Sequence, residues 1–387
     1  MTDFNQTDMQ RNTTPDADRR ELLRLLSEKQ RRKSGIPSAP LPRPRVGPLP
    51  LSEVQERLWA QQGLGEGAAW TVAGALELVG VLDVEALRSA LDALVARHEP
   101  LRTRFVSSPD GMPRQVIDNP AGAAFQVRAA KRSQVKDLVR AHEGKAFHLE
   151  QGPLFRVLLI ELGAKEYVLS LAMHHIIADG WSMDVLVRDM QELYGAALED
   201  RTPSLVPLDI QYADWAAWQR ERDLSGSLEY WKRSLAGPPV PLALGRVIAS
   251  RARGEAQQVE RPIPRYVADA LVSYARDRRA SLFMVLLAGW ALVMYRRTRA
   301  SDLLLGTTVA GRERLELEPL IGFFINIVAL RLDLSGDPTG DELMDHVRGT
   351  VLDGFLHQGV PFERLLAEVE GLRQPGGRSP VPVVVRH

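Results

Sequence analysis

The sequence contains no cysteine in its 387 residues, and its charges balance, with 49 basic and 49 acidic side chains. The lack of cysteine excludes disulfides, thiolate metal ligands and a cysteine nucleophile. The zero net charge gives no overall attraction to nucleic acid or to an anionic membrane surface. No apolar run reaches the roughly 18 residues of a membrane span, and the polar N-terminal region does not resemble a signal peptide. We therefore expect a cytoplasmic protein that binds neither nucleic acid nor a membrane.

Two further absences limit the chemistry. The histidines and carboxylates form no spaced cluster of the kind that holds a metal ion. Gly63, Gly65 and Gly67 match no nucleotide-binding loop in length or context. We expect a reaction that needs neither a metal nor a nucleotide.

The hydrophobic pattern indicates an α/β protein of two lobes, because a single core rarely grows beyond about 250–300 residues. We place the first lobe at residues 51–224 and the second at residues 225–387. The pattern predicts strands at 154–162, 166–173, 303–309 and 325–332, and helices at 84–97, 182–198, 211–222, 267–278, 282–297 and 340–358.

Residues 1–50 are predicted to precede the first lobe as a tail with one short amphipathic helix and a linker. Thr14 can cap a helix with Pro15 at its first position, and a stripe of leucines follows. Such a short helix is marginal alone, so it is expected to need a partner surface. Two hypotheses stand: residues 14–35 dock an upstream synthase, or they lie on the chain's own first lobe. The proline-rich residues 37–50 predict a semi-rigid linker.

One stretch carries the pattern of a reactive site. The apolar run 167–173 predicts a buried strand, and His174, His175, Asp179 and Gly180 follow it directly. Histidine exchanges a proton near neutral pH and is the commonest general base. The competing interpretation is a pair of core histidines beside a structural turn. The local pattern favours a functional loop.

Six stretches together resemble the ordered motifs of the condensation domains of nonribosomal peptide synthetases, a family related to chloramphenicol acetyltransferase. The stretches are 52–59, 97–105, 174–180, 212–219, 321–326 and 357–363. The resemblance implies two chloramphenicol-acetyltransferase-like lobes arranged as a V, with the active site at their junction. It also implies amide formation between an acyl or peptidyl thioester on an upstream carrier protein and the amine of an aminoacyl thioester on a downstream one. Both substrates would be carried on 4'-phosphopantetheine, and no cofactor would bind directly.

The resemblance assigns roles within the central motif. His175 would be the general base or the group that positions the amine, and both roles stay open at this point. His174 would be structural, because the orientation of its neighbour depends on it. The backbone N–H of Gly180 would approach the thioester carbonyl, although a plain tight turn explains a glycine there equally well.

The acidic residue of the motif is expected to brace the loop instead of touching substrate. Asp179 would form a buried ion pair with Arg102 or Arg97, with Arg57 as a less favoured partner. Breaking such a pair costs about 3–5 kcal/mol, so changes at Asp179 are expected to damage folding.

Four other residues are candidates to lie beside the substrate or the pantetheine arm. Trp181 and Ser182 continue the motif as in amide-forming members of the family. Asn326 could bond to substrate, with a strand-initiating turn as the alternative. Trp218 is expected to pack in the core more than to contact substrate.

The end of the sequence departs from the family pattern. Residues 378–385 only weakly resemble the last motif, and family members continue with further strands and a helix. An unfinished sheet would leave an exposed edge. We therefore expect either a truncated second lobe in a fragment of a longer polypeptide, which we favour, or a lobe that closes in an unusual way.

Three functions are compatible with the pattern. The first is the amide-forming condensation domain. The second is a free-standing acyltransferase of the same fold that acts on a small amine or alcohol. The third is a non-catalytic module that recruits carrier or partner proteins, against which the intact His174–Gly180 motif argues.

Overall fold

The structure is a computed structural model and describes residues 39–62, 70–240, 242, 259–373 and 380–386. The predicted helix at 14–35 and the glycines at 63–67 lie outside the described residues. The chain divides into two compact units. The first runs to Asp223 and also includes Ala310–Ile325, while the second consists of Leu224–Val309 and the chain from Asn326 onward. The sequence pattern did not indicate that residues 310–325 belong to the first unit.

The first unit is built from two sheets and the helices packed on them. Its strands are β1 (Leu49–Pro50), β2 (Thr71–Val79), β3 (Thr103–Ser107), β4 (Pro113–Ile117), β5 (Ala124–Ala129), β6 (Phe155–Gly163) and β7 (Glu166–His174). Its helices are α1 (Glu53–Gln62), α2 (Val84–Arg97), α3 (Val135–Gly144), α4 (Gly180–Leu198) and α5 (Tyr212–Glu221).

Strand β7 lies inside the larger sheet, whose order is β2-β7-β6-β5. It pairs antiparallel with β2 and β6, while β5 joins the edge parallel to β6. All residues of β7 from Val168 to His174 are buried, as the apolar run predicts for a strand covered on both faces. The strand ends at His174, so the histidine motif begins at the end of a strand that lies in the middle of the core.

The described part of the proline-rich segment is not a free linker. Leu49 and Pro50 pair with β4, which completes the second sheet in the order β1-β4-β3. Two guanidinium nitrogens of Arg45 donate to the carboxylate of Asp214 at 2.7 and 2.8 Å. Because that carboxylate is buried, it needs a cation and hydrogen-bond donors, and the segment supplies them. The predicted semi-rigid linker is therefore bound to the first unit at Arg45 and at Leu49–Pro50.

The second unit has its own hydrophobic core around one described three-stranded sheet, in which Asp302–Val309 (β8) lies between Val384–Val385 (β10) and Asn326–Asp333 (β9). The predicted strands and helices of this unit are confirmed, with ends that shift by one or two residues. Its elements are α6 (Ser225–Ser234), α7 (Arg265–Asp277), α8 (Leu282–Thr298), β8 (Asp302–Val309), β9 (Asn326–Asp333), α9 (Gly340–Leu356), α10 (Phe362–Glu368) and β10 (Val384–Val385).

Helix length and hydropathy bear on whether any described element could span a membrane. No single described helix is long and apolar enough to cross a bilayer. Helices α7 and α8 meet the requirement only as a pair, and that pair is bent by 108°.

Candidate active site

His175 lies directly after β7, in a single 3-10 turn that spans His175–Ile177. Its backbone N–H donates to the carbonyl oxygen of Trp70 at 2.7 Å. Its ring atom Nδ1 lies 2.7 Å from the carbonyl oxygen of Ala178. A carbonyl can only accept, so Nδ1 carries a proton, and in the neutral imidazole the lone pair is then on Nε2. The loop thus holds the imidazole in the tautomer that a proton acceptor needs.

Two aromatic rings lie near this imidazole. The Phe323 ring meets it edge to face, with centroids 4.7 Å apart. The Trp70 ring is at 6.4 Å in a similar orientation. His175 is only partly buried. The imidazole is therefore confined by rings and still open to an incoming group.

His174 is fully buried and has a different role. Its Nδ1 accepts a hydrogen bond from the backbone N–H of Ile176 at 3.0 Å, which caps the start of the 3-10 turn. Burial is the main cause that lowers the pKa of His174 to about 4, and the neighbouring His175 lowers it further. The side chain is therefore neutral near pH 7 and orders the loop, as the structural interpretation expects.

Asp179 caps the N-terminus of α4 and is buried. Its Oδ1 accepts from the backbone N–H of Ser182 at 2.9 Å, and its Oδ2 accepts from the N–H of Phe324 at 3.1 Å. The ion-pair partner is Arg312, whose Nη2 lies 3.2 Å from Oδ1. The prediction of an ion pair for Asp179 was right in kind, but Arg312 takes the place expected for Arg102, Arg97 or Arg57.

The predicted arginines serve other parts of the first unit. Arg97 donates to the carboxylate of Asp189 on α4 at 3.0 Å, and His98 contacts the same oxygen at 2.9 Å. Burial alone would raise the pKa of Asp189, but the hydrogen bonds from His98 and Arg188 lower it to about 2. Stretch 97–105 therefore ties α2 to α4, the helix that follows the histidine motif.

Arg102 lies away from the motif as well. Its Nη1 donates to the carbonyl oxygen of Asp118, at the end of the neighbouring strand β4. Arg57 lies on α1, and the described ion pair of Asp179 is made by Arg312. Sequence spacing could not identify these partners, because the choice depends on which chain segments fold together.

Arg312 is the partner of Asp179 that the sequence pattern did not indicate. Its Nη1 donates to the carbonyl oxygens of Leu317 and Leu320 at 2.6 and 2.9 Å, so it also shapes residues 310–325. The glycine directly before Arg312 is a sequence feature that marks this position. Gly311 has φ +66°, and a Cβ there would lie 1.9 Å from the carbonyl oxygen of Phe324, so only glycine fits at this position.

Ser182 bonds to groups of the first unit, and its predicted place beside the substrate stays a prediction. The residue is fully buried, and its Oγ accepts from the N–H of Gly322 at 3.0 Å. The same hydroxyl lies 2.7 Å from Oδ1 of Asp179 and 2.9 Å from the carbonyl oxygen of Gly322. Trp181, its neighbour, donates its indole N–H to the carbonyl oxygen of Glu318 at 3.0 Å. Both side chains therefore join α4 to residues 310–325.

Asn326 belongs to the second unit, and its amide is occupied within that unit. Its Nδ2 donates to the carbonyl oxygens of Gln358 and Val360 at 2.8 and 2.7 Å. Its Oδ1 accepts from the N–H of Phe362 at 3.1 Å. Asn326 begins β9, as the strand-initiating alternative expects, and its predicted contact with substrate stays a prediction. Trp218 is buried on α5, as core packing expects.

Gly180 is the first residue of α4, and its φ is not in the left-handed region. A Cβ built on it would meet no atom within 4 Å. Neither backbone strain nor packing therefore requires glycine here, which argues against the tight-turn alternative.

Comparisons with known proteins identify the family. The sequence model of the Condensation domain matches residues 46–380. The chain is 41% identical over 342 residues to a linear gramicidin synthase of Brevibacillus parabrevis, and the match covers 84% of this chain. It spans only 7% of the length of that synthase. The chain belongs to the condensation domain family.

Solved structures share the fold. The X-domain from teicoplanin biosynthesis is 30% identical, with a TM-score of 0.76 over 90% of this chain and 79% of that one. It has also been solved in complex with OxyB. The SgcC5 protein of Streptomyces globisporus is 31% identical, with a TM-score of 0.65 over 78% of this chain and 70% of that one. That structure contains an aromatic ethanediol and sucrose. The α/β fold class expected from the resemblance is confirmed.

Proposed function

We propose that this condensation domain joins the amine of an aminoacyl thioester to the acyl or peptidyl group of a second thioester. One observation carries the proposal. His175 presents Nε2 with a free lone pair, because Nδ1–H is held by the carbonyl oxygen of Ala178. The family assignment supports the class of reaction, and this geometry supports His175 as the proton acceptor.

The proposed reaction forms one carbon–nitrogen bond and breaks one carbon–sulfur bond. The amine nitrogen attacks the thioester carbonyl and gains positive charge as the bond forms. Nε2 of His175 accepts a proton from this nitrogen, and the departing thiolate takes a proton as it leaves. An α-amino group has a pKa of about 7.7–8.0, so a useful fraction is neutral before attack. Proton transfer would contribute roughly 10²–10⁴ in rate.

The substrates and partners follow from the same proposal. The donor and acceptor would arrive on the 4'-phosphopantetheine arms of an upstream and a downstream carrier protein. The support is the similarity to gramicidin synthase, a large protein of which this chain matches one short part. Docking of an upstream synthase on residues 14–35 stays a prediction, as does a cytoplasmic location.

The test uses a donor carrier loaded with an acyl thioester and an acceptor carrier loaded with an aminoacyl thioester. Amide formation is followed by intact-protein mass for the wild type, His175→Ala and the control His148→Ala. His148 is exposed in the same unit, so its loss should leave activity unchanged. We expect product from the wild type and the control and a near-complete loss with His175→Ala. Full activity of His175→Ala would remove His175 from the mechanism.

Recruitment of a partner protein is the second candidate function. The similar X-domain has been solved in complex with OxyB, so this fold can hold a partner protein. Absence of product from every carrier pair, together with unchanged binding of a carrier or partner by His175→Ala, would favour recruitment. Ester formation with an alcohol in place of the acceptor amine would instead favour the free-standing acyltransferase.

A further inference from the structure

Three successive backbone positions beside His175 are each held by a different side chain of the first unit. Ser182 Oγ accepts from the N–H of Gly322 at 3.0 Å. The hydroxyl of Tyr212 donates to the carbonyl oxygen of Phe323 at 2.8 Å. Asp179 accepts from the N–H of Phe324 at 3.1 Å. Two of these side chains come from the start of the motif helix α4, but Tyr212 comes from α5.

Tyr212 is fixed on its other side as well. Its only hydroxyl proton goes to Phe323, so the hydroxyl of Ser52, 2.8 Å away, donates to the tyrosine oxygen. Ser52 Oγ in turn accepts from the N–H of Gln55 at the start of α1. A Cβ on Gly322 would lie 2.0 Å from the tyrosine ring, so ring and loop are in close contact. The tyrosine is therefore clamped between α1 and residues 322–323.

The residue that Tyr212 holds is the one that touches His175. The Phe323 ring stands edge to face against the imidazole, with centroids 4.7 Å apart. Such a pair restricts ring orientation through both packing and the ring quadrupole. The carbonyl of Phe323 fixes the backbone from which this ring projects. Displacing that backbone therefore moves the Phe323 ring that packs against the imidazole.

We propose that Tyr212 is a positioning residue for the condensation reaction: its hydroxyl fixes Phe323, and the Phe323 ring fixes the imidazole of His175. This proposal rests on the function proposed above. Tyr212 itself is buried, so it would act through Phe323 and not by touching substrate. Stretch 212–219 was assigned to the family motifs by resemblance alone. The hydrogen bond from the Tyr212 hydroxyl to the carbonyl oxygen of Phe323 connects this stretch to the site.

The first test is Tyr212→Phe, which removes one oxygen and keeps the ring. The matched control is Tyr194→Phe, because the Tyr194 hydroxyl also bonds to the backbone, at the N–H of Asp83, away from the site. We expect Tyr212→Phe to lower kcat by about tenfold or more, because small displacements of reacting groups cost that much. KM for both carriers should stay unchanged, since no substrate contact is lost. The control should keep both constants.

The second test asks whether the effect passes through the Phe323 ring. In a Phe323→Leu background, Tyr212→Phe should cause no further loss of kcat, because the aromatic ring that Tyr212 positions has already been removed. Losses that multiply would show that Tyr212 acts by another route and would overturn the proposal. Unchanged kcat in Tyr212→Phe alone would overturn it as well.

A third measurement needs no substrate and separates this inference from the proposed function. The ¹⁵N signals of the His175 ring, assigned with His175→Ala, report which nitrogen carries the proton. We expect one Nδ1–H tautomer in the wild type and in Tyr194→Phe, and a mixture or broadened signals in Tyr212→Phe. Identical ring signals in all three proteins would refute the positioning role. An inactive wild type with this expected pattern would refute the proposed function alone.

Discussion

Replacing Arg312 with methionine tests how the histidine loop is held. The guanidinium is buried, pairs with Asp179 and donates to the carbonyl oxygens of Leu317 and Leu320. Methionine fills a similar volume but leaves the carboxylate buried without its cation. Loss of one partner from a buried pair costs about 3–5 kcal/mol. At roughly 2–4 °C per kcal/mol for a unit of this size, the Tm should fall by about 6–20 °C.

The assay must report on the first unit, because a two-unit chain need not unfold in one step. Thermal unfolding gives the Tm, and amide hydrogen exchange of peptides from β7 and α4 locates the loss. The control is Arg132→Met, which removes ion pairs with Glu77 and Glu166 on the exposed surface. Exposed pairs contribute little, so this control should keep the wild-type Tm.

A double variant separates charge burial from lost packing. Asp179→Asn in the Arg312→Met background removes the unpaired charge. The double variant should therefore be more stable than the sum of the single losses by about 1 kcal/mol or more. A wild-type Tm for Arg312→Met, or strictly additive losses, would refute the argument that this ion pair holds the loop.

Three further predictions follow from contacts already described. Gly180→Ala should keep the wild-type Tm but lower kcat/KM about tenfold or more, since its Cβ enters open space beside the site. Gly322→Ala should instead lower the Tm, because its Cβ meets a tyrosine ring at 2.0 Å. Equal Tm values for the two variants in a thermal scan would contradict this contrast. His174 has a folded pKa of about 4 against an ordinary 6.5, so the unfolded chain binds more protons between these values. Stability should fall by about 3 kcal/mol as pH drops through that window, and His174→Leu should flatten the urea-unfolding profile against pH; an unchanged slope would contradict it. Asn326→Ala should destabilise the second unit by about 2–3 kcal/mol from its lost hydrogen bonds, seen as faster exchange in β9 with β7 unaffected; faster exchange in both would contradict it.

Much of the site follows from local sequence. The apolar run before His174 indicates a buried strand, so the two histidines must emerge from the core. Asp179 lies three residues before Ser182, and this spacing allows the aspartate to cap α4 and the serine to bond back. The tautomer of His175 is also local, because its partner is the carbonyl of Ala178, three residues away.

The sequence by itself thus determined the strand, the loop, the helix start and the family that their order indicates. Only the tertiary structure decided what holds them. Arg312 reaches Asp179 across more than a hundred residues, and Tyr212 reaches Phe323 in the same way. Local patterns arise from steric and hydrogen-bond rules over a few residues, so they can be read directly. A buried charge or hydroxyl instead takes whichever partner the folded chain brings near, and the spacing of residues carries no record of that choice.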